Sequence, residues 1–324
     1  MKRLMLGMLA LFTISASGLQ ANAASYPSKP IELIIPMLPG AAGDITGRIL
    51  VEDLKKELNT DIVVINKPGG NFTLGTDQVV RAKKDGYTLA YTNPPAIVYA
   101  RAMNPGACPY NPDKDLEPLG LHVWFPQAIV VSADSPWKTF KELVEHAKKN
   151  PGALRCASPG TGTASTFVLE LVKKAAGIDV TELPTKGGQL LPQMLLGGHT
   201  EMSVGIMSLF ASHVRAGKLR FLFMTKKFPD FPGVPTLTEF GYKMDPPTGW
   251  FGLYGPAGLP AEVRKVLIPA IKRAVENPEA KEKLRKIYYL ADYRTPEEFS
   301  KITRDEYNLV APLAKELGIT GGSH

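Results

Sequence analysis

The 324-residue sequence predicts an α/β protein of two lobes, each a mainly parallel sheet flanked by helices, with two crossing strands between them. Three observations carry this. Apolar strand-like runs alternate with amphipathic helix-like stretches along most of the chain, the order expected of parallel sheets with right-handed crossovers. Two strand–glycine turn–helix junctions, Pro39–Asp44 and Ser158–Ser165, lie far apart in the sequence. The extended run Leu116–Ser132, interrupted only by Pro126, suits a strand that leaves one lobe and enters the other. The expected division is 24–124 with 251–324 for the first lobe and 125–250 for the second.

The first lobe opens with Ile31–Met37, an apolar run of the kind covered on both faces. Asp44–Leu58 follows with Ile45, Ile49, Leu54 and Leu58 at helical spacing. Asp61–Asn66 reads as a strand stopped by Lys67-Pro68-Gly69-Gly70, Asn71–Lys84 as a helix, and Tyr87–Thr92 as a third strand. Beyond the crossing, Thr139 with Glu142 forms a capping box for a helix over Phe140–Lys148. Strands at Leu154–Ala157, Val180–Leu183, Met202–Met207 and Leu219–Thr225 then alternate with helices at Ala164–Ala176, Gln189–Leu196 and Leu209–Ala216. Thr248–Tyr254 is the return crossing, and the chain from Ala261 onward reads as helical, with Pro269 as a kink and a second capping box at Thr295–Glu298.

Lys2-Arg3, the apolar stretch Leu4–Ala16 and Ala21-Asn22-Ala23 have the pattern of a secretory signal peptide cleaved before Ala24, which predicts an exported, periplasmic protein. No cysteine stands near the cleavage point to accept a lipid, and no later run reaches the roughly 18 apolar residues of a spanning helix. Lys2 and Arg3 supply two of the seven net positive charges; the other basic residues are scattered, without the basic patch that nucleic acid would need. Cys108 and Cys156 either pair in an oxidising compartment or stand as separate, partly buried thiols, the second being the preferred reading. Metal-ligand spacings, a nucleophile elbow and nucleotide glycine loops are all missing from the sequence, which argues against an enzyme.

Each glycine junction aims unpaired backbone N–H groups and the positive end of a helix dipole at one spot, which suits an anion. Read without context, each is equally a plain tight turn. Gly40 and Gly43 let the backbone approach a carboxylate without an intervening Cβ, whereas Asp44 reads as the helix N-cap rather than a ligand contact. Neither loop contains Lys or Arg; the nearest is Arg48, read equally as a structural or an ionic group.

An ordered set of motifs resembles a family. Tyr26-Pro27-Ser28-Lys29-Pro30-Ile31, the Pro36–Asp44 loop, Asn66-Lys67-Pro68-Gly69-Gly70, Asp85-Gly86-Tyr87-Thr88-Leu89, Pro109-Tyr110-Asn111-Pro112, Arg215–Arg220, Pro232-Gly233-Val234-Pro235-Thr236, Trp250-Phe251-Gly252 and Pro256-Ala257-Gly258 together look like the solute receptor of tripartite tricarboxylate transporters, the Bug-type binding proteins. The resemblance covers Tyr26–Ile319. It implies a two-lobed periplasmic binding protein fold of type II character; a monomer without cofactor is expected. It also implies a small carboxylate ligand and two integral membrane partners, one large and one small, that form an ion-coupled permease.

The resemblance places the first ligand loop at Pro39, Gly40, Ala41, Ala42 and Gly43, and the second at Gly160, Thr161, Gly162, Thr163 and Ser165. Asn71, Phe72, Asn93, Trp124 and Phe125 are expected between the jaws; the bulky members read equally as core. Trp124 stands where the family usually has a small residue; if it and Phe72 face the cleft, a larger or aromatic acid is favoured. Gly205-Ile206 replaces a polar pair common in the family, so Gly205 marks an absent carboxylate and the ligand is expected to lack an α-ammonium group. A periplasmic sensor with the same cleft is the competing function.

Overall fold

The computed structural model describes residues 26–106 and 108–318; the expected signal peptide lies outside them. Two mixed sheets with flanking helices form the molecule. The first sheet has the order β11-β4-β10-β3-β1-β2, built from β1 (Ile31–Ile35), β2 (Ile62–Asn66), β3 (Thr88–Thr92), β4 (Leu116–Phe125), β10 (Gly249–Pro256) and β11 (Leu290–Arg294). The second has the order β7-β6-β8-β5-β9, from β5 (Gln127–Ser132), β6 (Arg155–Ser158), β7 (Thr181–Pro184), β8 (Met202–Ile206) and β9 (Leu219–Met224).

Each sheet has a parallel core of three strands, β2-β1-β3 and β7-β6-β8, formed by successive β-α-β units. The antiparallel pairings belong to the strands at or beside the crossings, β10 and β4 in one sheet and β5 in the other. Pro126 ends the pairing of β4, because it lacks an N–H for the ladder, and the chain passes directly into β5 in the second sheet. The return is made between β9 and β10.

Helices α1 (Ala42–Leu58), α2 (Thr73–Val80), α3 (Ala100–Met103), α4 (Pro112–Asp115), α9 (Ala261–Glu276), α10 (Pro278–Lys286) and α11 (Pro296–Glu316) accompany the first sheet. Helices α5 (Phe140–Lys149), α6 (Ala164–Ala176), α7 (Leu191–Leu196) and α8 (Ala211–Arg215) accompany the second. In α1, Leu50, Leu54 and Leu58 bury one stripe beside Leu33, Ile35 and Leu253. Both capping boxes form, Thr139 with Glu142 on α5 and Thr295 with Glu298 on α11.

The C-terminal stretch is not wholly helical, as its pattern implied. Leu290–Arg294 extends as β11 and pairs with β4. Its Ala, Asp and Arg carry little strand propensity; the unpaired edge of β4 and a hydrogen bond from Trp124 Nε1 to Asp292 (2.9 Å) hold it there. Cys108 and Cys156 are separate thiols, Cys156 buried within the second core.

Candidate ligand cleft

The first glycine loop emerges from β1 as the exposed Leu38-Pro39-Gly40. Gly40 has φ +78°, with open space where a Cβ would stand, so the turn needs glycine for its backbone. Ala41 is the N-cap of α1 and supplies no side-chain acceptor, which leaves the first N–H groups of the helix uncapped. The expectation that Asp44 caps α1 is corrected: it stands one turn further in and reaches back. Its carboxylate accepts from the Gly40 N–H (2.9 Å), Arg48 Nε (2.8 Å) and Asn66 Nδ2 (3.0 Å). Burial alone opposes its charge, but these three donors outweigh burial and hold the carboxyl below the ordinary range. Gly43 serves packing: a Cβ there would meet Met37 Sδ at 2.5 Å and Phe251 Cε1 at 3.1 Å.

A buried chain of hydrogen bonds fixes this first turn to the crossing strand. Thr46 Oγ1 donates to Ala42 O (2.9 Å), Tyr91 OH donates to Thr46 Oγ1 (3.0 Å), and Tyr91 OH lies 2.8 Å from His122 Nδ1 on β4. Since both hydroxyl protons are committed, Nδ1–H of His122 must be the donor to Tyr91. Burial lowers the His122 pKa to about 3, so the ring stays neutral and the chain keeps its polarity.

In the second loop Gly160 (φ +130°) and Gly162 (φ +75°) occupy positive-φ positions before α6. Thr163 is the N-cap of α6, accepting from Thr166 N–H and donating to Gly160 O (2.9 Å). Ser165 Oγ donates to Gln127 Oε1 (2.7 Å), whereas Thr161 is exposed. Gly162 faces the first half of the molecule: a Cβ would lie 2.5 Å from Met103 Sδ.

Both loops border the crossing segment Phe125–Gln127. Gly43 abuts Phe251, which packs on Phe125 at 4.8 Å between ring centroids, and Gln127, two residues on, holds Ser165 of the second loop. Around this segment three side chains carry buried polar atoms without a partner: Asn93 Oδ1 just beyond β3, Gln127 Nε2 at the start of β5, and Ser158 Oγ at the end of β6. Gln127 lies on the same face of the second sheet as Ile129 and Val131, which pack on Val168 and Leu169 of α6. Such atoms cost about 1–3 kcal/mol each when left unmet. Gln127 lies within the extended run Leu116–Ser132 and Ser158 opens the second glycine junction, but neither stands out in the sequence as a binding residue. Only the fold brings them beside the N-terminus of α6.

Asn71 and Phe72 stand at φ +50° and +72°, after Gly69 and Gly70, which are also positive. A phenylalanine there is strained, and Phe72 packs partly against the first core. Two further residues are placed as follows. Trp124 belongs to the buried cluster that also holds Phe167 of α6 and Met103, the residue set against Gly162. It bonds to Asp292 of β11, carries the Lys226 ammonium at 4.9 Å from its ring, and lines a pocket of about 670 Å³ behind the crossing segments. Strand alternation sets Trp124 and Phe125 on opposite sides of the first sheet. Gly205 looks away from α6, since a Cβ there would meet Leu191 Cδ1 at 2.7 Å and Phe210 Cε2 at 3.1 Å. Its neighbour Ile206 instead packs against the core of the first sheet.

Residues 46–319 match the family model of the tripartite tricarboxylate transporter family receptor, TctC. The UPF0065 protein of the gbd 5′ region in Cupriavidus necator is 32% identical over 96% of this chain and 94% of its own length. A TctC solute-binding protein from Polaromonas, solved without ligand, superposes with TM-score 0.81 at 27% identity, covering 90% of this chain and 99% of that one. The periplasmic binding protein BugD gives TM-score 0.71 at 29% identity, over 91% of this chain and 99% of that one. Through this agreement of sequence and fold, the chain belongs to the TctC family, the receptors of tripartite tricarboxylate transporters.

Proposed function

We propose that the protein captures a small organic carboxylate, a di- or tricarboxylate or an aromatic acid, between its two lobes in the periplasm and hands it to an ion-coupled permease with a large and a small membrane subunit. Residues 24–124 with 251–324 form one lobe and 125–250 the other. Among the described residues no helix is long and apolar enough to cross a membrane.

One observation carries this reading. The uncapped N-terminus of α1 and the N-terminus of α6 flank the same crossing segment, where Gln127 Nε2 and Ser158 Oγ wait buried without partners. Carboxylate oxygens meet all of these donors. Each helix terminus contributes roughly 0.3–1 kcal/mol, up to about 2 when partly buried. Micromolar affinity needs about 8 kcal/mol, so the buried amide, the hydroxyl and ordered water supply the remainder. With Arg48 engaged by Asp44, the ligand is held by dipoles rather than by a fixed cation, which permits release. The apolar Ile206, rather than Gly205, is the residue that offers an α-ammonium group nothing.

A thermal-shift panel of C4–C8 dicarboxylates, citrate, aromatic acids and acidic amino acids tests the proposal. A ligand at about 100 times its Kd stabilises by roughly 2.7 kcal/mol. Stabilisation by dicarboxylates but not by aspartate or glutamate is expected. A panel without a single shift would refute the proposal, and tight binding of aspartate would refute the part concerning the ammonium group.

A further inference from the structure

The pocket behind the crossing segments is a second place where the molecule is unfinished. Its walls come from Trp124 on β4, Thr225–Lys227 after β9, Met244–Thr248 before β10, and Ile302–Leu309 on α11. Its volume of about 670 Å³ falls in the range of small-molecule sites, roughly 300–1,000 Å³. None of the residues of either glycine loop lines it.

The charges in this pocket are unequally served. Asp245 accepts from Thr238 N (2.9 Å) and Oγ1 (2.8 Å). Asp305 is paired with Lys301, and Lys227 with Glu239. Glu306 accepts from Tyr99 OH (2.5 Å) and Trp250 Nε1 (2.9 Å). Asp292, beneath the Trp124 ring edge, is bonded to Trp124 Nε1 and Arg294. Lys226 alone has no acceptor within hydrogen-bond or ion-pair distance among the described residues. Its half-buried ammonium rests on the face of Trp124, and burial lowers its pKa. Lys226 feels the charge of Asp292, but that carboxylate is spent on Trp124 and Arg294, so the partner Lys226 lacks is an anion. The surfaces around that cation, Trp124, Met244, Pro246, Pro247 and Leu309, are apolar.

The geometry points to a second ligand site at the hinge that takes a small monocarboxylate with an aromatic or branched apolar body, its carboxylate on Lys226 Nζ and its body against Trp124 and Leu309. Because both crossing segments wall the pocket, its occupancy and the relative placement of the lobes are linked, each altering the other's free energy equally. This site is independent of the cleft reading.

Calorimetric titration with phenylacetate tests it, in a Gly162→Pro background that disables the second glycine loop and keeps the cleft out of the isotherm. One phenylacetate is expected to bind. Lys226→Met is expected to weaken it at least about tenfold, the effect of losing one charge-assisted contact, and Lys226→Arg to retain it. Leu309→Trp, which fills the pocket and leaves the charges untouched, should also abolish binding. Circular dichroism of each variant verifies folding; should Gly162→Pro not fold, Ala41→Asp, which sets a carboxylate at the first loop, replaces it as background. Binding that survives both Lys226→Met and Leu309→Trp, or no binding up to about 10 mM, would overturn the proposal.

Discussion

At the scale of single residues, Asp44 shows how an acid can stand beside the proposed anion site. A free carboxylate beside the α1 N-terminus would repel a carboxylate ligand, but this one is committed to Gly40 N–H, Arg48 and Asn66. It thereby shapes the loop rather than filling it. Asp44→Asn removes the charge and leaves the shape, and is expected to cost about 1–3 kcal/mol at neutral pH. Because the folded pKa is lowered, the carboxylate's contribution is complete above the unfolded value near 3.9 and is lost as pH falls through the lower folded value. Urea unfolding of wild type and Asp44→Asn at neutral and strongly acid pH should therefore show a gap that closes in acid. A gap independent of pH would mean that the ionised form contributes nothing. The placements of Trp124 and Gly205 belong to this scale too, since one residue of register reverses the direction of a side chain.

At the scale of elements, the uncapped start of α1 is a stability defect at the place where the proposed ligand binds. Ser, Thr, Asp or Asn at an N-cap is worth about 0.5–2 kcal/mol over Ala, and Ala41 forgoes that. Ala41→Ser is expected to raise stability by roughly that amount and to weaken carboxylate binding, because its hydroxyl takes an N–H the ligand would use. Denaturation and titration of the same sample would decide it; tighter binding together with higher stability would contradict the role given to α1. Legibility in the sequence follows the same physics. Elements with strong local signals were readable: β1 by its unbroken apolar run, α5 and α11 by their capping boxes, and the β4–β5 crossing by Pro126. Residues 95–103, helical but without caps, and β11, with weak propensity, draw their order from tertiary contacts. For the cleft, glycine loops announce themselves in sequence because backbone geometry demands glycine. The unsatisfied atoms of Asn93, Gln127 and Ser158 do not, because satisfaction depends on neighbours distant in the chain.

At the scale of the whole molecule, Glu306 joins parts that lie far apart in the chain. It sits on α11, is 6% exposed, and accepts from Tyr99 beyond β3 and from Trp250 on the returning strand β10. Burial raises its pKa to about 7, against the hydrogen bonds from Tyr99 and Trp250, which pull it down. An acid whose folded pKa is raised keeps its proton in the native state after the unfolded chain has lost it. Between about pH 4.3 and 7 the native state therefore binds more protons, and stability falls as pH rises, by a total on the order of 3 kcal/mol from this group. Glu306→Gln removes the titration and keeps an amide in reach of both partners. It is expected to flatten the stability profile between pH 5 and 7 and to unfold later than wild type at pH 8, while matching it near pH 5. The two profiles running parallel across that window would show that Glu306 is ionised throughout the native state. In that case the Tyr99–Glu306–Trp250 junction would be a fixed anionic anchor for the returning strand, unaffected by the pH of the compartment in which the receptor works.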